Sequence, residues 1–249
     1  VAGTGEQPHA EPANGDGTHV QLRAEDVSSR DAYRLMTDIV APRPIAWVST
    51  LDAEGNGNLA PFSYYQAMCS NPPTVVLGFG WRSDGRPKDT LANILARGEL
   101  TINHVDEGHA EAMNVTSADV DTDVNEWSFA RTQDGPLVPA PSYRVAPPRI
   151  ASAHAAFECK LVHAIPIGRG RNGAPSSTLV VAEVVAFVVR GDLLQRDDSG
   201  RLRPMDPGQL ASVGRLGGIA YTTIRDRFEL GRPSADALVP PKSGPEGNT

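Results

Sequence analysis

Between Trp81 and Thr90 the chain reads Trp-Arg-Ser-Asp-Gly-Arg-Pro-Lys-Asp-Thr, and an apolar helical period then starts with Leu91, Ile94 and Leu95. Arg82, Ser83, Arg86, Lys88 and Thr90 therefore gather just ahead of a helix. The first turn of a helix offers free N–H groups and the positive end of the dipole. Cations and hydroxyls beside that end suit a phosphate. A second group lies upstream, in the segment from Pro42 to Tyr65. Its strand ends in Ser49 and Thr50, and a returning strand carries Asn58, Ala60 and Ser63. On one face of a hairpin these small polar groups would make a shallow bed for a flat ring with a hydrogen-bonding edge, such as a flavin. Both segments also suit plainer roles: a solvated loop before a capped helix, and turn capping by Asn58 and Ser63.

The elements that position these groups follow from pattern. Pro44–Leu51 is apolar and β-branched, Asp52–Gly57 is a turn cluster, and Asn58–Phe62 resumes as a strand, which predicts a hairpin. Further strands are expected at Thr74–Phe79, Leu100–Val105, Ser152–Ile167 and Ser177–Arg190. Helices are expected at Ser28–Val40, at Thr90–Arg97 with Asp89 or Thr90 as cap and Gly98 as stop, and from Asp106 to about Asn114. Strands without regular βαβ alternation argue for a mainly β barrel with helical decorations.

Composition narrows the partners. The chain has 249 residues, enough for one self-supporting core, and a formal net charge of -7. That charge disfavours non-specific binding of nucleic acid or anionic membranes, which attract Lys and Arg. No stretch approaches the ~20 apolar residues of a membrane helix. Residues 1–28 are rich in Gly, Pro, Ala and acidic residues and are expected to be a flexible or arm-like extension. Residues 29–231 are expected to fold as one domain, and 232–249 to form a flexible tail. The start of the chain lacks the pattern of a secretion signal, so a cytoplasmic location is expected. Cys69 and Cys159 have no CxxC spacing and read as two small buried hydrophobes.

Several nucleotide, protease and hydrolase signatures are missing from the sequence: the P-loop, HExxH and GxSxG. Gly78-Phe79-Gly80 begins like a dinucleotide-binding GxGxxG and then fails. His104 and His109 straddle a strand-to-helix junction and are not expected to share a metal; no metal site is expected.

The ordered set PRPIAWVST, NLAPFSYY, NPPTVVLGF, KDTLANI, INHVDEGHAEAMNVTSADV, NEW, PPRI, FECKL and a late GRLGG followed by Tyr221 resembles the flavin reductase-like family, in its NTAB-type branch. The resemblance runs from about Tyr33 to Tyr221. It implies a six-stranded Greek-key split β-barrel that forms a homodimer and binds FMN, in preference to FAD, at the subunit interface. Carried over by residue, Ser49, Thr50, Asn58, Ala60 and Ser63 match the ring and ribityl contacts, and Lys88, Asp89 and Thr90 match the phosphate end. Arg82 and Ser83 are helpers there, and Trp47 is a candidate to flank the ring. Asp89 is expected to cap the helix or pair with Lys88. Arg215 could face a cofactor or substrate anion, and His154 a nicotinamide or substrate carbonyl. The implied activity is reduction of flavin by NADH or NADPH, with electrons passed to a partner monooxygenase or other acceptor. Two alternatives stay open: an FMN-dependent oxygenase or oxidase acting directly on a small organic substrate, and a flavoredoxin-like electron carrier.

Overall fold

A computed structural model describes residues 19–121 and 124–234. The expected tail and most of the expected N-terminal extension lie outside these residues. Within 19–28 the chain makes a single 3-10 turn, Ala24–Asp26. Ser28 then caps helix α1 (Ser29–Ile39) by accepting from the Asp31 amide.

Strands dominate the chain beyond α1. β1 (Arg43–Pro44) leads into β2 (Ala46–Leu51), β3 (Gly57–Phe62), β4 (Tyr65–Ser70) and β5 (Pro73–Gly80). Helix α2 (Asp89–Arg97) ends at Gly98, whose left-handed φ of 70° stops it as the sequence predicts. Then come β6 (Glu99–Asn103) and helix α3 (Ala110–Val115). Two short ribbons pair β7 (Arg131–Thr132) with β8 (Gly135–Pro136), and β9 (Pro139–Ala140) with β10 (Arg149–Ile150). The long pair β11 (Ala155–Ile167) and β12 (Ser177–Val189) comes next. Helix α4 (Pro207–Leu210), β13 (Val213–Arg215) and β14 (Tyr221–Thr223) close the described chain.

The main sheet has seven antiparallel strands in the order β3-β2-β6-β11-β12-β5-β4. The resemblance implies six strands; the extra one is β4, which sequence pattern alone does not reveal. The two edge strands, β3 and β4, are consecutive in the chain and share no hydrogen-bonded ladder.

Strand parity builds two cores from the same strands. Ala46 and Val48 of β2 face inward with Val75, Leu77, Phe79, Leu100, Ile102 and Val180, and α2 plugs this interior with Leu91 and Ile94. Trp47 faces the other way, into a second cluster with Leu59, Met113, Ile150 and Val213. β2 is therefore buried on both faces, which is why it reads as one continuous apolar run. Glu158 on β11 is wholly buried and is satisfied by the backbone amides of Tyr143 and Arg144. Cys159 is in the core as expected, but Cys69 is exposed on the edge strand β4. Among the described residues no helix is long and apolar enough to cross a membrane.

Candidate functional site

The β2–β3 hairpin is set by its turn. Asp52 accepts from the backbone amides of Glu54 and Asn56 and from the Asn56 side chain, and Gly55 supplies a positive φ of 90°. The resulting register places Thr50 opposite Asn58 and Val48 opposite Ala60. Cross-strand partners share a face, and this face looks at α2. Asn58 Nδ2 donates to Thr90 Oγ1 at 3.1 Å, and Asn93 Nδ2 donates to Thr50 Oγ1 at 3.1 Å.

Between the hairpin and the start of α2 lies a groove of about 150 Å³. Asn58 and Ala60 line one side, Arg82, Lys88, Asp89 and Thr90 the other, and Glu126 and Asp119 reach its rim. α2 begins after Lys88, which stands at the cap position with extended backbone and no side-chain capping bond. The expected cap, Asp89 or Thr90, is instead in the first turn, because the chain turns one residue earlier. By contrast, Ser28, Asp106, Asn125 and Asp206 each cap a helical turn with a side chain. The first amides of α2 are thus left for another acceptor.

Asp89 does not pair with Lys88. Its carboxylate meets Arg82 Nη2 at 2.8 Å, and Arg82 Nη1 reaches Asp119 at 3.0 Å. Arg82 Nε is buried with no hydrogen-bond partner. The Lys88 ammonium makes no ion pair among the described residues. Glu126 accepts from the Leu59 amide at 3.1 Å, and burial pushes its carboxyl above the usual range, with Asp89 adding to the rise.

Six of the sequence candidates therefore meet in one groove: Asn58, Ala60, Arg82, Lys88, Asp89 and Thr90. The others do not. Trp47 is fully buried, with its indole N–H on Thr116 Oγ1 at 2.9 Å, so it cannot flank an open ring. Ser49 is buried on the opposite face of β2, because adjacent strand residues alternate. Thr50 is on the correct face but lies wholly buried beneath α2. Ser63 falls past the end of β3 and accepts from Arg43 Nε at 3.4 Å. Ser83 is exposed on the loop and does not line the groove.

Arg215 also lies elsewhere. It donates to the Gly218 carbonyl, and its guanidinium sits 4.4 Å from the centre of the Tyr221 ring. The GRLGG segment is a seat for α1: a Cβ on Gly217 would collide with Asp38, and one on Gly214 would press on Pro42. That packing accounts for the glycines without a cofactor.

His154 belongs to a cluster that chain spacing conceals. Asp106 Oδ2 accepts from His109 Nδ1 at 2.8 Å and lies 3.5 Å from His154 Nδ1. His104 and His154 stack with ring centres 6.2 Å apart. Burial holds His104 down to about 4. The sequence sets His104 and His109 aside as metal ligands and places His154 apart from both, although the His-x-Asp spacing of His104 and Asp106 is a visible signal.

Comparison with known proteins identifies the family and the fold. Residues 39–204 match the flavin reductase like domain. Nitrilotriacetate monooxygenase component B from Bacillus cereus is 30% identical, with a TM-score of 0.76, covering 88% of this chain and 100% of that one. The 2-nitrobenzoate 2-nitroreductase NbaA from Pseudomonas fluorescens is 31% identical, with a TM-score of 0.72, covering 90% of this chain and 100% of that one. A protein with a split barrel domain from Shewanella frigidimarina is 23% identical, with a TM-score of 0.68, covering 86% and 99%, a likeness of fold.

Proposed function

The chain belongs to the flavin reductase-like family, and from that premise we propose that it is an FMN-dependent oxidoreductase of the NAD(P)H:flavin reductase kind, acting as a homodimer. The observation that carries this reading is the uncapped first turn of α2, which opens into the same groove as Lys88, Arg82 and Asn58.

The residues present fit the phosphate end of such a cofactor. Donors available there are the free amides of α2, the unpaired Lys88 ammonium and the partnerless Arg82 Nε. The groove of about 150 Å³ is smaller than the roughly 300–1,000 Å³ of a full ligand pocket. It suits the phosphate and part of the ribityl chain, and the ring would extend past Ala60, where a second subunit would cover it. Bound flavin supplies a ring that accepts a hydride from NADH or NADPH and hands on two electrons.

The protein's part is positioning. Lys88 and the α2 dipole balance the phosphate charge. Asn58 fixes Thr90 and so locks the hairpin against the helix. Ala60, having no bulk, keeps the bed open. Arg82 can exchange exposed Asp119 for the arriving anion, while Asp89 continues to orient it. Hydride transfer needs stacking and orientation and no side-chain acid or base.

Component B of a monooxygenase as a full-length relative favours delivery of electrons to a partner enzyme. A second reading, favoured by the nitroreductase relative, keeps the flavin bound and acts directly on a small organic substrate. Anaerobic stopped-flow reduction separates them. The reductase reading expects fast bleaching of FMN by NADH or NADPH and release of reduced flavin. Turnover of a nitroarene by the protein alone with tightly held FMN would favour the second reading. A protein that binds neither FMN nor FAD would overturn both.

A further inference from the structure

β6 ends at Asn103, and the chain stays extended through His104, Val105 and Asp106, as the bridge from Asp106 to Ser212 shows. Val105 is buried in the outer core. Alternation therefore turns His104 and Asp106 to the same side. The His104 amide donates to the Ala155 carbonyl at 2.9 Å, which brings His154, just before β11, alongside. One ring nitrogen of each histidine and one oxygen of Asp106 all lie within 4.8 Å of one another.

From this convergence we propose that His104, Asp106 and His154 bind one divalent first-row transition-metal cation, at a site separate from the groove at α2. Two imidazoles and one carboxylate are the donor set that such ions favour over Mg²⁺ or Ca²⁺. Donors on one ion at about 2.1 Å each lie at most ~4.2 Å apart, so a small side-chain closure seats it.

The surroundings resemble the supporting shell of a metal site. Asp106 is oriented from behind. Its Oδ1 accepts from the amides of Gly108 and His109, and its Oδ2 accepts from His109 Nδ1, whose Nε2 is held by Ser152 Oγ at 2.8 Å. The second lone pair of Oδ2 remains for an ion. His104 Nε2 is engaged by Ser212 Oγ at 2.8 Å. That leaves Nδ1, which is buried with no hydrogen-bond partner. His154 Nδ1 has only long contacts, 3.3 Å to the Leu210 carbonyl and 3.5 Å to Asp106. An ion would replace a proton shared weakly among these acceptors. Three protein donors leave coordination positions for water or a small anionic ligand.

The test uses the full chain, stripped with a chelator and titrated with Co²⁺, with and without FMN. One Co²⁺ per chain is expected, with visible ligand-field bands and hyperfine-shifted proton signals from two histidines in the wild-type protein. His104→Ala and His154→Ala should each weaken binding about tenfold or more. His163→Ala, on the exposed part of β11, should leave it unchanged. Absence of histidine hyperfine shifts in the wild type would overturn the site even if a variant fails to fold. So would Co²⁺ binding that survives both the His104 and His154 substitutions. Loss of flavin binding alone would touch the groove and leave this site standing.

Discussion

Asn58 on β3 donates its side-chain amide to Thr90 Oγ1 at 3.1 Å, so the hairpin is tied to the first turn of α2 at the floor of the groove. Thr90 itself is only 2% exposed. On the proposed reading Thr90 holds geometry, and Lys88, which makes no ion pair among the described residues, is the group that meets the phosphate. Lys88→Ala should therefore weaken FMN binding roughly tenfold, the scale of one charge-assisted contact at a partly exposed site, and leave riboflavin binding nearly unchanged. Asn58→Ala should weaken both ligands, because it loosens the shared floor. Fluorescence titration with each flavin checks this. Equal losses of FMN and riboflavin in Lys88→Ala would remove the phosphate from the start of α2.

Asp119 competes for Arg82. Its carboxylate lies 3.0 Å from Arg82 Nη1, and its side chain is 85% exposed. An anion entering the groove must displace it or share the guanidinium with it. Asp119→Asn should tighten FMN binding several-fold and leave riboflavin unaffected, with the gain shrinking as salt is added. Asp89→Asn should behave differently, because Asp89 orients Arg82 from inside the groove at 2.8 Å. That variant should gain charge and lose order, so its FMN affinity should change less. Weaker FMN binding in Asp119→Asn would mean that the ion pair builds the site.

Glu126 gives a pH signature. Burial raises its carboxyl above the ordinary glutamate value in the folded protein. A raised folded value means that its contribution is fully present below the unfolded value and is lost as pH rises through the folded one. Glu126→Gln keeps an oxygen for the Leu59 amide and removes the titration. The two proteins should melt alike near pH 4, and the variant should become the more stable one toward pH 8. Thermal melts across that range decide it. A constant offset at every pH would show that burial does not raise the Glu126 carboxyl in the folded protein.

The sequence makes visible what is local. The Asp52–Gly57 turn, the Gly98 stop and the Lys88-Asp89-Thr90 helix start all depend on residues within one turn of each other. Strand β4 stays hidden because Tyr65–Ser70 is an edge strand, mostly exposed, without the apolar alternation that marks a half-buried one. Ser49 and Thr50 look equivalent as neighbouring hydroxyls. Parity sends one to each face, and α2 then covers the one on the correct side. The Asp106 cluster needs His154, which arrives only through the pairing of β11 with β6. No local pattern encodes that meeting.

Arg43 sets how α1 is held. It is 6% exposed and donates to the carbonyls of Thr37, Val40 and Leu216. Two of these end α1, and the third belongs to the GRLGG seat. The cation thus closes the helix C-terminus, where the dipole favours positive charge, and fastens it to the loop that passes over Asp38. Arg43→Met keeps much of the volume and removes every donor. Three carbonyls then need new partners, at a cost on the order of 3 kcal/mol, or roughly 6–12 °C in melting temperature for a chain of this size. Hydrogen exchange should speed up at the end of α1 and around Leu216, while β11 and β12 stay protected. A melting temperature within about 1 °C of wild type would show that water replaces the guanidinium without loss, and that α1 is held by its apolar contacts alone.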